Sequence, residues 1–351
     1  MYLLGVYNVL SFSLVGSDCM DNKVVDHNAS AKLFGWHFQI YAGIVLMLDN
    51  IKDARSLRIE GKDEDIELIM CTKEKIYAQV KGFNDPQDTR NVKRKLKEAL
   101  SSLNDAASKS KYIALYYITN SNNPFNEKNP GYYYNGMKQY FYRELPVKAR
   151  DTITSIIASN DFSEIDANRL MLKIIPFYGE EEDTRLRDIK YAVVERFGRM
   201  NVQITSIITR VMYYWLAYCF HNGTIRNTSV YVSKEKFVWP VICSLLEKCP
   251  SLEYKSDLSL DEQYLVEEKY KTIIDNQTMD YEFVIKVITD FNIFKKGTKR
   301  FVEEKWSDYK DFFSCIDGLN DNHLMILIKI ILSKILLEAK EINDLKVGVG
   351  L

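Results

Sequence analysis

The chain has 351 residues, long enough for two domains at roughly 150 residues each, and its 46% hydrophobic and 27% charged content suits a buried globular core. Its 47 Lys and Arg nearly cancel 48 Asp and Glu, so overall charge gives no ground for a nucleic-acid partner; only a local basic patch could. The six cysteines (Cys19, Cys71, Cys219, Cys243, Cys249, Cys315) show no C-x-x-C spacing, and none of the four histidines (His27, His37, His221, His323) lies near a cysteine pair. That argues against structural zinc and for the reduced thiols of a cytoplasmic protein.

Residues 1–16 are apolar but lack a basic start and a cleavage site, are interrupted by Asn8, Ser11 and Ser13, and fall short of the ~20 residues of a membrane span. They read as a buried strand or an adhering segment, with no membrane partner. Helical periodicity follows over 31–49, with Phe34, Phe38, Tyr41, Val45 and Leu48 on one face and Gly35, Gln39 and Gly43 as a small-polar-small stripe suited to close approach. Two runs of strand character, 56–70 and 76–82, flank a polar turn at 71–75. A helix reads over 88–103 through Val92, Leu96, Ala99, Leu100 and Leu103. Apolar strands at 112–118 and 170–177 end in the polar loops Asn120–Pro124 and Glu180–Asp183.

Beyond 183 helical periods take over, at 184–199, 203–221, 233–248, 261–275, 279–294, 298–315 and 322–342. The expected fold is therefore α/β: a mixed sheet flanked by helices over 1–180, then a mostly α-helical domain over 181–351. The last helix, around 324–337, is apolar almost all round, which places it in a core or against a partner.

The chemistry concentrates in Glu60-Gly-Lys-Asp-Glu-Asp65-Ile-Glu67 and Gln79-Val-Lys81. Side chains alternate along a strand, so Asp65 and Glu67 share a face, as do Tyr77, Gln79 and Lys81. A turn centred near Thr72 and Lys73 sets Asp65 opposite Lys81 and Glu67 opposite Gln79. Carboxylate and amide oxygens suit Mg²⁺, which also grips phosphate, and a neighbouring lysine offsets transition-state charge. Any half-exposed hairpin shows the same alternation of opposite charges, and that plainer reading stays open on spacing alone.

In context these residues resemble the PD-(D/E)xK, restriction-endonuclease-like nuclease superfamily, in the branch where glutamine replaces the second acid. They are most similar to the double-stranded DNA endonuclease domain of bacterial anti-phage systems, which carries an aromatic-x-aromatic-Gln helix, an E-G-x-x-D-D-I-D-like segment and Q-V-K. Here those elements are Trp36-His37-Phe38-Gln39, Glu60 through Glu67, and Gln79-Val80-Lys81, and the likeness covers roughly 30–180. It implies that Asp65 and Gln79 hold Mg²⁺ or Mn²⁺, that Lys81 is catalytic, that Glu60 belongs to the catalytic set, and that Gln39 and Glu67 are accessory. Glu64 stands where relatives often have aspartate, which leaves open whether Glu64 or only Asp65 faces the metal, although alternation sends Glu64 to the opposite face. The domain arrangement resembles the nuclease subunit of Lamassu-type defence complexes. This implies an SMC-like ATPase and a small accessory subunit as partners, and a homo-oligomer when active. The alternatives are a non-catalytic scaffold that binds DNA and partner subunits, and a nuclease whose helical half senses a small-molecule signal, marked by a polar pocket among the helices instead of an apolar docking face.

Arg90, Lys93, Arg94 and Lys97, with Lys95, Lys109 and Lys111, form a basic stretch suited to phosphate contacts or simply to a solvated helix face. Tyr132, Tyr133, Tyr134, Tyr140 and Tyr142 read as packing before base stacking, and His37 and His221 as structural. The chain carries no Walker-type glycine loop, so ATP hydrolysis is not expected of it.

Overall fold

The computed structural model describes residues 30–134, 136–247, 258–275, 279–314 and 316–351; the apolar run 1–16, His27, Cys19, Cys249 and Cys315 lie outside them. Helix α1 (Ser30–Asp49) leads into three antiparallel strands, β1 (Ala54–Ile59), β2 (Ile66–Met70) and β3 (Lys75–Lys81). Helix α2 (Val92–Ala107) crosses to β4 (Tyr112–Thr119), parallel to β3. Then come β5 (Lys138–Phe141), α3 (Val147–Ser159) and β6 (Leu170–Ile174), with β6 parallel to β4 and antiparallel to β5. The second half supplies α4 (Glu182–Gly198), α5 (Ile208–Thr224), a two-residue strand β7 (Val232–Ser233) and α6 (Lys234–Leu246). It ends with α7 (Leu260–Asp275), α8 (Tyr281–Phe294), α9 (Thr298–Lys305), a 3-10 run (Trp306–Phe313), α10 (Asp321–Leu337) and α11 (Ala339–Val349). The sheet order is β5-β6-β4-β3-β2-β1-β7. The α/β class, the mixed sheet with flanking helices and the helical C-terminal region are as the sequence predicts.

Two expectations need correction. The run 56–70 is not one strand but β1 and β2 separated by a loop over 60–65. The helix expected from 88 begins at Val92, because Asp85 and Asp88 turn their carboxylates onto the backbone amides of Gln87 and Arg90, a local bond that competes with helix.

Each sheet face has its own cover. Ile66, Leu68, Ile76, Ala78 and Val80 face α1 and an apolar core that runs on through the second half to Val349. Tyr77, Leu115, Tyr117 and Leu172 face α2 and α3, where Leu96, Ala99, Leu100, Leu103, Ala149 and Ile153 are buried. Helix α1 is the one described helix long and apolar enough to cross a membrane, and its residues Phe38 through Leu48 are all buried inside the protein. Its expected close approach holds at Gly43, where a Cβ would lie 2.4 Å from Ile59 Cδ1, and not at Gly35, which faces open space. Helix α10 is a core element: Leu327, Ile328, Leu332 and Ile335 are fully buried, and its lysines Lys329 and Lys334 pair with Glu303 and Glu338.

His37 packs edge-on against Tyr41 and Phe177. Burial, assisted by Arg185, pulls its pKa down from 6.5 to about 4. The unfolded chain therefore takes up this proton first, and stability held above pH 6.5 falls as pH drops towards 4. Replacing His37 by Gln removes that dependence. The stability gap between wild type and His37→Gln should shift by about 1–2 kcal/mol in favour of the variant between pH 7 and 5. Urea unfolding at the two pH values checks this, since every other titrating group is common to both proteins.

The second half is fastened to β1. β7 pairs with it, Ser233 opposite Ser56 and Val232 opposite Leu57. Arg58, 1% exposed, donates to the carbonyls of Asn222 (2.5 Å), Ile225 (2.8 Å), Val230 (3.1 Å) and Glu60 (3.2 Å). The first two carbonyls end α5, where a cation complements the helix dipole. Asn222 Oδ1 in turn accepts from the Ile59 amide at 2.9 Å.

Candidate active site

The β2–β3 register pairs Ile66 with Ala78 and Glu67 with Tyr77, so Asp65 lies across from Gln79 and not from Lys81. The turn closes one residue earlier than expected. Lys73 adopts a left-handed φ of 71°, its amide bonds the Met70 carbonyl, and Met70 N–H bonds Glu74. The resulting two-residue offset preserves every side-chain face, so the polar residues still converge.

Five of the expected residues meet at the open end of this hairpin. Asp65 Oδ2 accepts from the Val80 amide (2.9 Å) and from Gln79 Nε2. Gln39, reaching in from α1, donates to Glu60 Oε1 (2.9 Å) and to the Asp65 carbonyl (3.0 Å). Glu60 is held at φ 52°, a left-handed conformation that costs a non-glycine residue energy and turns the chain out of β1. Lys81, half-buried at the end of β3, completes the group: its charge acts on both Asp65 and Glu64.

The electrostatics suit a cation. Burial pushes the Asp65 carboxyl up to about 6, against the opposing pull of the Val80 amide and Lys81. Burial and the neighbouring Asp65 charge push Glu64 up to about 8, and its Oε1 is buried with no hydrogen-bond partner. Glu64 corrects an expectation: it precedes β2, so strand alternation does not govern it, and it turns to Ser102 of α2 on the same side as the cluster. Among the described residues no three His, Cys, Asp or Glu side chains are grouped to hold a metal. Two carboxylates and an amide fit magnesium all the same, because that ion uses one or two carboxylates and fills its octahedron with waters and phosphate oxygens. Gln79 would have to present Oε1, and not the Nε2 that now meets Asp65, to serve as a ligand.

Glu67 does not join the cluster. It is fully buried, its Oε1 accepts from the Asp63 amide (2.9 Å), and its Oε2 accepts from Lys75 Nζ (2.9 Å) and the Tyr231 hydroxyl (2.9 Å). The basic residues sit along the exposed start of α2: Arg90 pairs with Asp88 and Arg94 with Glu98, while Lys93 and Lys97 face solvent. Lys95, closer to the site, donates to the Gly82 carbonyl (2.6 Å) with its ammonium over the Phe83 ring. The tyrosines pack only in part as expected: Tyr133 and Tyr140 are buried, Tyr132 stacks on Tyr140 but stays exposed, Tyr142 bonds Thr154, and Tyr134 is exposed. Sequence reasoning missed Tyr231; nothing local marks it, since it is 164 positions from the carboxylate it meets. Comparisons with protein-family models, curated proteins and solved structures find no match to this chain.

Proposed function

We propose that this chain is a metal-dependent endodeoxyribonuclease that cuts double-stranded DNA largely without regard to sequence, as the effector of a bacterial anti-phage complex. The observation that carries the reading is the convergence of Gln39, Glu60, Asp65, Gln79 and Lys81 on one end of the hairpin, from α1, the 60–65 loop and β3. The order α1–β1–β2–β3–α2–β4, an antiparallel meander with a parallel crossover, is the frame that the resemblance implies for such a site.

Asp65 and Gln79, with Glu60 alongside, would hold Mg²⁺ or Mn²⁺; the ion supplies Lewis acidity, activating water and neutralising phosphate charge. Gln39 fixes the Glu60 carboxylate through its amide. Lys81 places a positive charge where the attacking oxygen and phosphate develop negative charge. Lys93 and Lys97, exposed beside the site, would neutralise DNA phosphates. The helical half would dock an SMC-like ATPase and a small accessory subunit, a reading that rests on the Lamassu-like arrangement of the chain.

Metal binding has a readout that needs no DNA. A divalent ion relieves the repulsion and desolvation stored at Asp65 and Glu64, so at a hundredfold excess over its dissociation constant Mg²⁺ should stabilise the fold by about 2.7 kcal/mol at pH 7.5. The effect should shrink at pH 5.5, below the raised Asp65 value of about 6, where protons compete for the carboxylate. Thermal unfolding with and without Mg²⁺ at both pH values checks this. Absence of any shift at pH 7.5 favours the non-catalytic scaffold.

The gated variant would require a polar site for its signal, and the polar depression among the described residues that comes nearest to one lies at the edge of the sheet and not among the helices. It is a cavity of about 620 Å³ between α4 and the β5–β6 edge, lined by Lys173, Gln139, Asp188, Glu195 and Arg196 among others. Under the gated variant, activity of the purified chain depends on an added small molecule and not on partner subunits.

A further inference from the structure

The loop that carries Glu60 and Asp65 is not held by the nuclease half alone. One segment of the second half, residues 222–231 from the last turn of α5 to the start of β7, grips the chain on both sides of it. Ahead of the loop, the Asn222 side chain bonds the Ile59 amide, and the Asn222, Ile225 and Val230 carbonyls receive the Arg58 guanidinium. Behind the loop, the Tyr231 hydroxyl donates to Glu67 Oε2 at 2.9 Å. Glu67 lies directly under the loop: its Oε1 accepts the Asp63 amide, and a Cβ on Gly61 would come within 2.3 Å of that oxygen. The carboxylate is fully buried, and Lys75 Nζ shares Oε2 with Tyr231. A movement of Tyr231 is thus transmitted through one carboxylate to the backbone between Glu60 and Asp65.

We infer that Tyr231 and Glu67 are positioning residues for the 60–65 loop, and that the 222–231 segment is the element through which the helical half sets the geometry of the candidate metal centre. The inference rests on the proposed metal-dependent reading for its consequence, but its structural part stands apart from it. Anything that docks on the helical half and shifts α5 has this route to the site, because the segment begins at the end of that helix.

The test is Tyr231→Phe, which removes one oxygen and keeps the ring, compared with Tyr142→Phe, which removes a hydroxyl bonded to Thr154 away from the site. Amide hydrogen exchange of the intact chain should accelerate at Asp63 by about fivefold or more in Tyr231→Phe, confined to the 60–65 loop and its flanks, and not in Tyr142→Phe. The Mg²⁺ concentration for half-maximal thermal stabilisation should rise about tenfold, the scale of outer-shell losses at metal sites. Unchanged Asp63 exchange, or acceleration spread evenly over the protein with a falling midpoint, overturns the inference and leaves Tyr231 a fold-stabilising contact. Should wild type respond to no divalent ion, the metal reading fails by itself, and the Asp63 exchange still decides whether Tyr231 holds the loop.

Discussion

Lys81→Ala should lower plasmid cleavage by at least about a hundredfold while leaving the protein folded. The fold survives because the backbone of Lys81, not its side chain, is built into the sheet: it continues the parallel ladder opposite Thr119, whose hydroxyl donates to the Lys81 carbonyl at 2.9 Å. Alanine keeps that bond. What it removes is a positive charge that acts on both Asp65 and Glu64. Without it both acids hold protons more tightly, so metal affinity weakens, and the lysine's share in meeting the charge that builds on the phosphate is lost. Lys81→Arg keeps the charge on a wider group and should recover only part of the rate. Supercoiled-plasmid nicking in Mg²⁺, with the thermal midpoint measured in parallel, separates a chemical loss from unfolding. Cleavage at the wild-type rate would place the chemistry elsewhere.

Arg58→Met should destabilise the protein by about 3–5 kcal/mol, a large share of the ~5–15 kcal/mol that folded domains retain. Methionine fills similar space but donates nothing, so the carbonyls of Asn222, Ile225, Val230 and Glu60 lose a shared donor at 2.5–3.2 Å in a place where Arg58 is 1% exposed. Val230 keeps the Asn222 amide and Asn222 keeps the Ile225 N–H, so the main loss falls on the Ile225 and Glu60 oxygens, at about 1–3 kcal/mol for each one left unpaired out of water, offset in part by shedding the buried charge. Lysine cannot rescue it, because a point ammonium does not reach four carbonyls spread around a planar fork. Urea unfolding measures the loss, and a change below about 1 kcal/mol would mean that water replaces the guanidinium at these oxygens.

The parts of this architecture that were legible in the sequence are those set by local periodicity. The apolar stripe of α2, Val92 to Leu103, and the helices of the second half follow from residues three and four apart, whereas the lack of a polar face on α10 left a core and a partner interface both open until its burial decided for the core. The face shared by Tyr77, Gln79 and Lys81 was equally readable, because alternation needs no knowledge of the partner strand. Register was less so. It hangs on the left-handed Lys73, a conformation no residue type at that position announces, and the error was harmless only because it was an even offset. The surroundings of Glu67 were out of reach for a related reason. Its face was right, but its partners Lys75 and Tyr231 lie towards the other end of the hairpin and in the other half of the chain. Glu64 was sent to the wrong side because the strand was assumed to run through it. A loop forced by Gly61 and Glu60 breaks the alternation there. Contacts such as Ser56 with Ser233 and Arg58 with Ile225 span too much chain for any local pattern to reveal.

The central claim is that one divalent ion sits against Asp65. Electron paramagnetic resonance of Mn²⁺ titrated into the intact chain tests it without reliance on a substrate. Wild type should quench the free-ion signal with saturable binding, competed by Mg²⁺, and Asp65→Asn should abolish that binding while its thermal midpoint stays at or above the wild-type value, since the neutral amide is spared the burial that pushes the Asp65 acid up to about 6. Retention of full Mn²⁺ binding by Asp65→Asn, or none by wild type, would contradict the account.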